Sequence, residues 1–375
     1  MTRRITLLGA GLVGKAIAAD LCSDFDVTAV DADAAALERL RARYPIKTLA
    51  ADLTDAGAVR RVVRDADLVI GAVPGFLGFR TLETVIDAGK NVVDISFFAE
   101  DALLLDELAK RRGVTAVVDC GVAPGMGNMI LGYWVERLRV ASFACMVGGL
   151  PFVRTKPFEY KAPFSPADVL EEYTRPARHV ENGCVVVKPA LSDPELVEFE
   201  KVGTLEAFNT DGLRTLLKTV CVPNMKEKTL RYPGHIGLIR TLRDAGFFQK
   251  TPLDVSGQRV APFDVTARLL FDSWKLREGE EEFTVGRITI AGEENGRARR
   301  ITYNLFDVYD RATGITSMAR TTAYACTAVA RLVLENRFVR NGVSPPEYVG
   351  RQEGCLAAVL EYLRQRNVVY EVSEE

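Results

Sequence analysis

The chain has 375 residues, 48% hydrophobic and 26% charged, which at roughly 150 residues per domain points to two globular domains. Lys plus Arg is 48 and Asp plus Glu is 50, and this balance excludes a broad basic surface for nucleic acid or anionic lipid. No apolar run approaches the ~18 residues of a membrane span, and the stretch after Arg3-Arg4 breaks into glycines without a signal-peptide cleavage site. The expectation is a cytoplasmic protein that engages neither nucleic acid nor membrane.

Through residue 120, short apolar strands (5–8, 27–30, 46–50, 68–70, 92–95 and 114–118) alternate with helical stretches (to about 21, then 34–43, 56–63, 80–88 and 103–111). That alternation predicts a parallel sheet covered on both faces, a doubly wound α/β domain of the Rossmann type. Beyond it the pattern changes. A helix is expected over 128–138, a strand over 142–147, and a proline-rich stretch over 150–166 that ends in a helix start at Ser165-Pro166. Two-residue alternation over 287–291 and 301–309 predicts a hairpin turning within 292–296. Helices over 321–334 and 354–364 and a last strand over 368–372 complete the expectation.

Gly9-x-Gly11-x-x-Gly14 follows the first strand and opens a helix, the context a dinucleotide fingerprint needs. Gly9 permits the tight turn, Gly11 lets a pyrophosphate approach backbone, and Gly14 lets helix and strand pack. Ala10, Leu12 and Val13 complete the loop and helix start, whose positive end favours phosphate. Asp31, 22 residues after Gly9, ends the second strand, where a carboxylate accepts from ribose hydroxyls and repels a 2′-phosphate. With Ala32-Asp33 next and no Arg, the expected cofactor is NAD rather than NADP. Loops at the other strand ends are candidates to line it: Asp52 (equally readable as a helix N-cap before Thr54), Ala72, Val73, Pro74, Ser96, Gly121 and Pro124.

Seven cysteines without any C-x-x-C pair, and only two histidines, give no metal-ligand spacing. No metal is expected, and Cys120 reads as packing.

The loop Val118-Asp119-Cys120-Gly121-Val122-Ala123-Pro124-Gly125-Met126 and the segment Val147-Gly148-Gly149-Leu150-Pro151 resemble the saccharopine dehydrogenase (glutamate-forming) superfamily. Residues 69–79, 172–178, 211–214 and 229–235, with Gly342-Val343 and Pro345-Pro346-Glu347, are similar to its L-lysine 6-dehydrogenase branch. The resemblance covers nearly the whole chain. It implies a Rossmann domain (1–125, completed by 317–375), an inserted α+β substrate domain (126–316) and a homodimer or higher homo-oligomer. It also implies NAD-dependent oxidation of the lysine ε-carbon to allysine, which cyclises to Δ1-piperideine-6-carboxylate, with ammonia released. Saccharopine reductases usually carry Asp where Ala123 stands and tend to carry Cys where Val147 stands. Losing both polar groups fits a substrate smaller than saccharopine.

Within that resemblance Arg214, after the Thr210-Asp211-Gly212 turn, is the first candidate for the substrate α-carboxylate, because a guanidinium grips a carboxylate in bidentate fashion. Arg175 and Arg231, each in a matched motif, come second. His235 is a candidate base near neutral pH or else a satisfied, partly buried histidine. Asp119 is a candidate to orient substrate ammonium or water, or else a carboxylate tied to its own loop. Glu159 and Tyr160 border the expected substrate site, and Phe76, Phe79, Phe97 and Phe98 either wall it or fill the core. Saccharopine, carboxynorspermidine or another ω-amino acid adduct is the competing substrate. A non-enzymatic NAD-binding regulator is the competing function.

Overall fold

Strands apolar on both faces are stable only between two helical layers. The computed structural model, which describes residues 2–164, 166–277 and 279–375, arranges the first part of the chain in this way. It runs β1 (Arg4–Leu8), α1 (Leu12–Leu21), β2 (Asp26–Asp31), α2 (Ala34–Arg43), β3 (Lys47–Ala50), α3 (Ala56–Val63), β4 (Leu68–Gly71), α4 (Gly75–Asp87), β5 (Val92–Asp94), α5 (Asp106–Arg112) and β6 (Thr115–Val117). Asp33 and Asp55 start α2 and α3 by accepting backbone N–H groups of the first turn. The fourth helix begins at Gly75, five residues before the sequence expectation, so the loop after β4 shrinks to Ala72-Val73-Pro74.

The second part opens with α6 (Met126–Val135) and continues β7 (Arg139–Pro151), α7 (Pro166–Thr174), β8 (Ala177–Glu181), β9 (Cys184–Lys188), β10 (Glu195–Phe199), β11 (Gly203–Asn209), α8 (Leu216–Thr219), β12 (Asn224–Arg231) and α9 (His235–Asp244). A small hairpin, β13 (Leu253–Val255) and β14 (Gln258–Val260), precedes α10 (Pro262–Trp274), β15 (Glu282–Glu294) and β16 (Arg297–Val308). The chain ends α11 (Ser317–Leu334), β17 (Gly342–Ser344), α12 (Pro346–Arg351), α13 (Cys355–Arg364) and β18 (Tyr370–Glu374). The expected helix start at Ser165 lies outside the described residues.

Among these residues one sheet is fully parallel in the order β17-β6-β5-β4-β1-β2-β3, so the direction of winding reverses beside β1 and opens a crevice at the strands' C-terminal ends. The second sheet runs β10-β11-β12-β7-β15-β16-β18, with β8 and β9 attached through β12; only β7 and β12 pair in parallel. The fold is thus α/β, with a Rossmann sheet and a second, mixed sheet. After α11 the chain returns to the first sheet at β17, but its last strand pairs with β16 in the second sheet.

Two expectations change in detail. The hairpin is far longer than its alternating cores and turns at Asn295-Gly296 alone. Their φ values of 52° and 79° are those of a two-residue turn whose twist matches the flanking strands. Strands β8 to β12 were not expected at all; their alternation mixes charged with apolar residues. Among the described residues no helix is long and apolar enough to cross a membrane.

Candidate active site

A cleft of about 580 Å³ runs between the two sheets. Gly9, Gly11, Leu12, Val13, Gly14, Asp31, Asp52, Ala72, Val73, Pro74, Ser96, Gly121 and Pro124 all line its Rossmann side. The three glycines have separate jobs. A Cβ on Gly9 would stand 2.3 Å from the Ala72 carbonyl oxygen, and one on Gly14 would stand 2.2 Å from that of Gly9. A Cβ on Gly11 would meet nothing within 4 Å, which leaves open space at the α1 N-terminus where a pyrophosphate fits. Ala10 is buried behind this wall and donates its N–H to Asp31 Oδ2 at 2.6 Å. Asp31 Oδ1 accepts from Asp33 N, so backbone fixes the carboxylate's direction. Asp52 accepts from the Thr54 amide and hydroxyl, which holds its carboxyl below the usual range and matches the N-cap alternative.

The opposite wall comes from one helix face and one strand face. Asp168, Glu171 and Glu172 of α7, with Arg175 just past its end, recur at helical spacing and all line the cleft. Glu227, Thr229 and Arg231 alternate along β12 and line it as well. Gly212 backs against Glu227: a Cβ there would stand 2.4 Å from the Glu227 carboxyl carbon.

Arg231 is almost completely buried and fully engaged. Nε donates to Tyr173 Oη at 3.0 Å, Nη1 to the Leu230 carbonyl, and Nη2 to Tyr160 Oη and Glu172 Oε2. Tyr173 in turn lies 3.0 Å from His235 Nε2, and His235 Nδ1 lies 2.9 Å from the Phe158 carbonyl oxygen. A carbonyl only accepts, so Nδ1 carries the proton and Nε2 receives the tyrosine O–H. Burial, reinforced by the Arg231 charge, pushes the imidazole down to about 3. His235 is therefore a neutral buried link that does not line the cleft, the satisfied alternative of the sequence reading.

Asp119 and Arg214 meet each other instead of the cleft. Their side chains pair at 3.2 Å, both buried, and Arg214 Nη1 donates to the Phe98 carbonyl at 2.6 Å. The expected carboxylate-binding role of Arg214 therefore has no free donor face, and Asp119 has no open path to substrate. The turn before Arg214 does border the cleft, through Thr210, Asp211 and Gly212. Glu159 points to Arg154, and Tyr160 is buried behind Arg231; neither lines the cleft. Of the four phenylalanines only Phe97 lines it, whereas Phe98 is core and Phe76 is exposed. Cys120 is buried, and burial pushes its thiol up, as packing requires.

Arg175 differs from the other two arginines. Its Nη1 is buried without a hydrogen-bond partner among the described residues, Nη2 stands 3.8 Å from Glu171, and the guanidinium lies over the Phe97 ring. Sequence reasoning passed over Glu172 and Glu227. Burial raises the Glu172 carboxyl despite its bond to Arg231, and pushes that of Glu227 up to about 8. The period-two charges of β12 were the available signal.

Residues 5–117 match the model of the saccharopine dehydrogenase NADP binding domain, and residues 121–368 match that of the saccharopine dehydrogenase C-terminal domain. The chain belongs to the saccharopine dehydrogenase family. Within this family it is 25% identical over 251 residues to the NADP-dependent, L-glutamate-forming saccharopine dehydrogenase of Schizosaccharomyces pombe, which is 60% of this chain and 53% of that protein. It is also 25% identical over 238 residues to the alpha-aminoadipic semialdehyde synthase of Arabidopsis thaliana, 57% of this chain and 22% of that protein. The match thus spans about half the length of these relatives or less. The apo saccharopine dehydrogenase (L-Glu forming) from Saccharomyces cerevisiae superposes over all of both chains with a TM-score of 0.80 at 18% identity, which shows a shared fold. These relatives reach the saccharopine dehydrogenase family and do not single out its lysine 6-dehydrogenase branch. The two departures from the saccharopine reductase pattern, Ala123 and Val147, both line the cleft.

Proposed function

We propose that this chain oxidises the ε-carbon of L-lysine with NAD to an imine, which water hydrolyses to allysine and ammonia, the allysine then cyclising to Δ1-piperideine-6-carboxylate. The observation that carries this reading is the supply of cations opposite the cofactor cradle. Only Arg175 and Arg231 bring positive charge to the described cleft lining, and every nitrogen of the Arg231 guanidinium is engaged. The Arg175 guanidinium is not fully engaged: its buried Nη1 has no partner among the described residues and its Nη2 has only a 3.8 Å contact with Glu171, which leaves it the capacity to pair with one carboxylate. Lysine has one carboxylate. Saccharopine carries two more, which would find no unengaged cation there. The carboxylates of α7 and β12 suit the substrate's ammonium groups instead.

NAD is preferred over NADP because Asp31 and Asp52 border the adenosine end of the cleft and no Lys or Arg among the described residues lines it there. The matched domain is described by NADP binding; the acidic end of this cleft argues against a 2′-phosphate in this chain. When bound, NAD supplies the hydride chemistry. The chain's own residues do the rest. The Gly9–Gly14 loop holds phosphate, Asp31 holds ribose, and Arg175 anchors the α-carboxylate over Phe97. Phe97, Phe164 and Met318 exclude water from the lining. The ε-amine has a reference pKa of about 10.4 and must be neutral to release hydride from its carbon, so the rate rises toward alkaline pH.

The test is an absorbance assay at about pH 9.5–10, near that pKa, with L-lysine, NAD and o-aminobenzaldehyde. NADH together with trapped Δ1-piperideine-6-carboxylate supports the reading. Silence with lysine and turnover with saccharopine would replace it with the second reading, which the names of the relatives favour.

A further inference from the structure

We infer that Glu227 is the group that takes the proton from the substrate's ε-ammonium. This rests on the lysine reading above and extends it to a residue that the sequence did not single out.

The geometry is specific. Glu227 projects from β12 into the cleft on the same strand face as Thr229 and Arg231, on the wall facing the cofactor cradle. Both of its hydrogen bonds go to one oxygen: Thr210 Oγ1 donates to Oε2 at 2.5 Å and Gly212 N at 3.1 Å. The Thr210 hydroxyl has only one proton, so Thr229, 3.0 Å away, donates to Thr210. This directed chain pins the carboxyl, while Oε1 accepts nothing from the described residues. A buried carboxyl with one satisfied and one unoccupied oxygen beside an open cleft is placed to exchange a proton with what occupies the cleft.

The surrounding charges keep both forms within reach. Burial raises the Glu227 carboxyl to about 8, the Thr210 bond opposes the rise, Glu172 on α7 adds to it, the Gly212 N–H opposes it, and Asp211 adds to it. Glu172 and Asp211 are themselves paired, with Arg231 and Arg178. Cys145, opposite Glu227 on β7, is a buried thiol raised by its own burial and by Glu227, and so adds no charge. The ammonium of lysine therefore meets a carboxyl far closer to its own proton affinity than an ordinary glutamate. The step is a single transfer. The N–H bond of the ammonium breaks, an O–H bond forms on Glu227, and one positive and one negative charge become two neutral groups. The neutral amine then has the lone pair that hydride loss requires.

Glu227→Gln keeps size and removes the titration. With lysine and NAD, kcat is expected to fall by about 10²–10⁴-fold and its rise through about pH 8 to disappear, with NAD affinity and melting temperature preserved. Thr210→Val removes one bond to the charged form, so the same rise moves to higher pH. Infrared difference titration of the protein without substrate supplies an independent readout: a carboxyl titrating near pH 8 that is absent from Glu227→Gln. A wild-type pH profile and kcat in Glu227→Gln, or no such carboxyl signal, would overturn the inference alone. Wild-type silence with lysine would overturn the lysine reading and this inference with it.

Discussion

Asp119 and Arg214 form a buried ion pair at 3.2 Å that joins the loop after β6 to the segment between β11 and α8. Both residues hold positive φ, 51° and 53°, so each backbone is bent to deliver its side chain to the other. Arg214 also caps the Phe98 carbonyl and lies against the Phe97 and Phe98 rings. The pair thereby fastens the substrate-side turn to the loop that ends at Pro124.

Removing one partner leaves the other charge buried and alone. Arg214→Met is therefore expected to destabilise the fold by about 3–5 kcal/mol, read as a lower denaturant midpoint. A variant with unchanged stability and a greatly raised KM for lysine would instead return Arg214 to the substrate.

Arg175 should behave in the opposite way. It is half-buried in the cleft lining, and its loss breaks a long contact with Glu171 and the stacking on Phe97 but no short ion pair. Arg175→Ala is expected to raise KM for lysine about 10- to 150-fold, as loss of a charged hydrogen bond implies, with melting temperature nearly unchanged. Comparing lysine with cadaverine, which lacks the carboxylate, checks the cause: the variant should discriminate between them far less than the wild type.

Asp31→Ser tests the nucleotide preference. The serine cannot accept from both ribose hydroxyls and no longer repels a 2′-phosphate. NAD affinity is expected to fall about 10- to 150-fold, and the ratio of NADP to NAD turnover to rise. A wild-type protein that already prefers NADP would refute the assignment.

Asp94, buried at the end of β5 beneath Ser96, gives a pH signature of stability. Burial pushes its carboxyl up to about 8 against the two bonds from Ser96. Its folded value exceeds the unfolded value of about 3.9, so its contribution is complete below pH ~4 and is lost as pH rises toward 8. Each unit in that window costs about 1.4 kcal/mol. Asp94→Asn removes this dependence. Denaturant midpoints at about pH 5 and about pH 9, which bracket most of the fall, should therefore drop less in the variant than in the wild type. Equal drops would show that Asp94 is ionised throughout.

The Rossmann half was legible because its signals are local. Gly9, Gly11, Gly14 and Asp31 fall within one β-α-β unit, and all four line the cleft. The substrate wall was not. The strand β12 carries Glu227, Thr229 and Arg231 on one face and Lys226 and Lys228 on the other, where both lysines pair with Glu195. Such a strand is buried through its pairings, and a search for apolar alternation passes over it. The Asp119–Arg214 pair spans 95 positions, so the sequence alone made two candidates of what is one contact. The two readings of His235 stayed open in the sequence for a related reason, since its partners Tyr173 and Phe158 are far away in the chain. Arg175, a second choice on motif grounds, became the better carboxylate candidate only once Arg231 was seen to be fully engaged.

Deuterium transfer tests the central claim most directly. The protein is given NAD and lysine deuterated either at the ε-carbon or at the α-carbon, and the reduced nucleotide is weighed by mass spectrometry. The expected result is deuterium in NADH from the ε-labelled substrate and none from the α-labelled one. Label arriving from the α-carbon, or no label from either while saccharopine is oxidised, would contradict ε-oxidation of lysine.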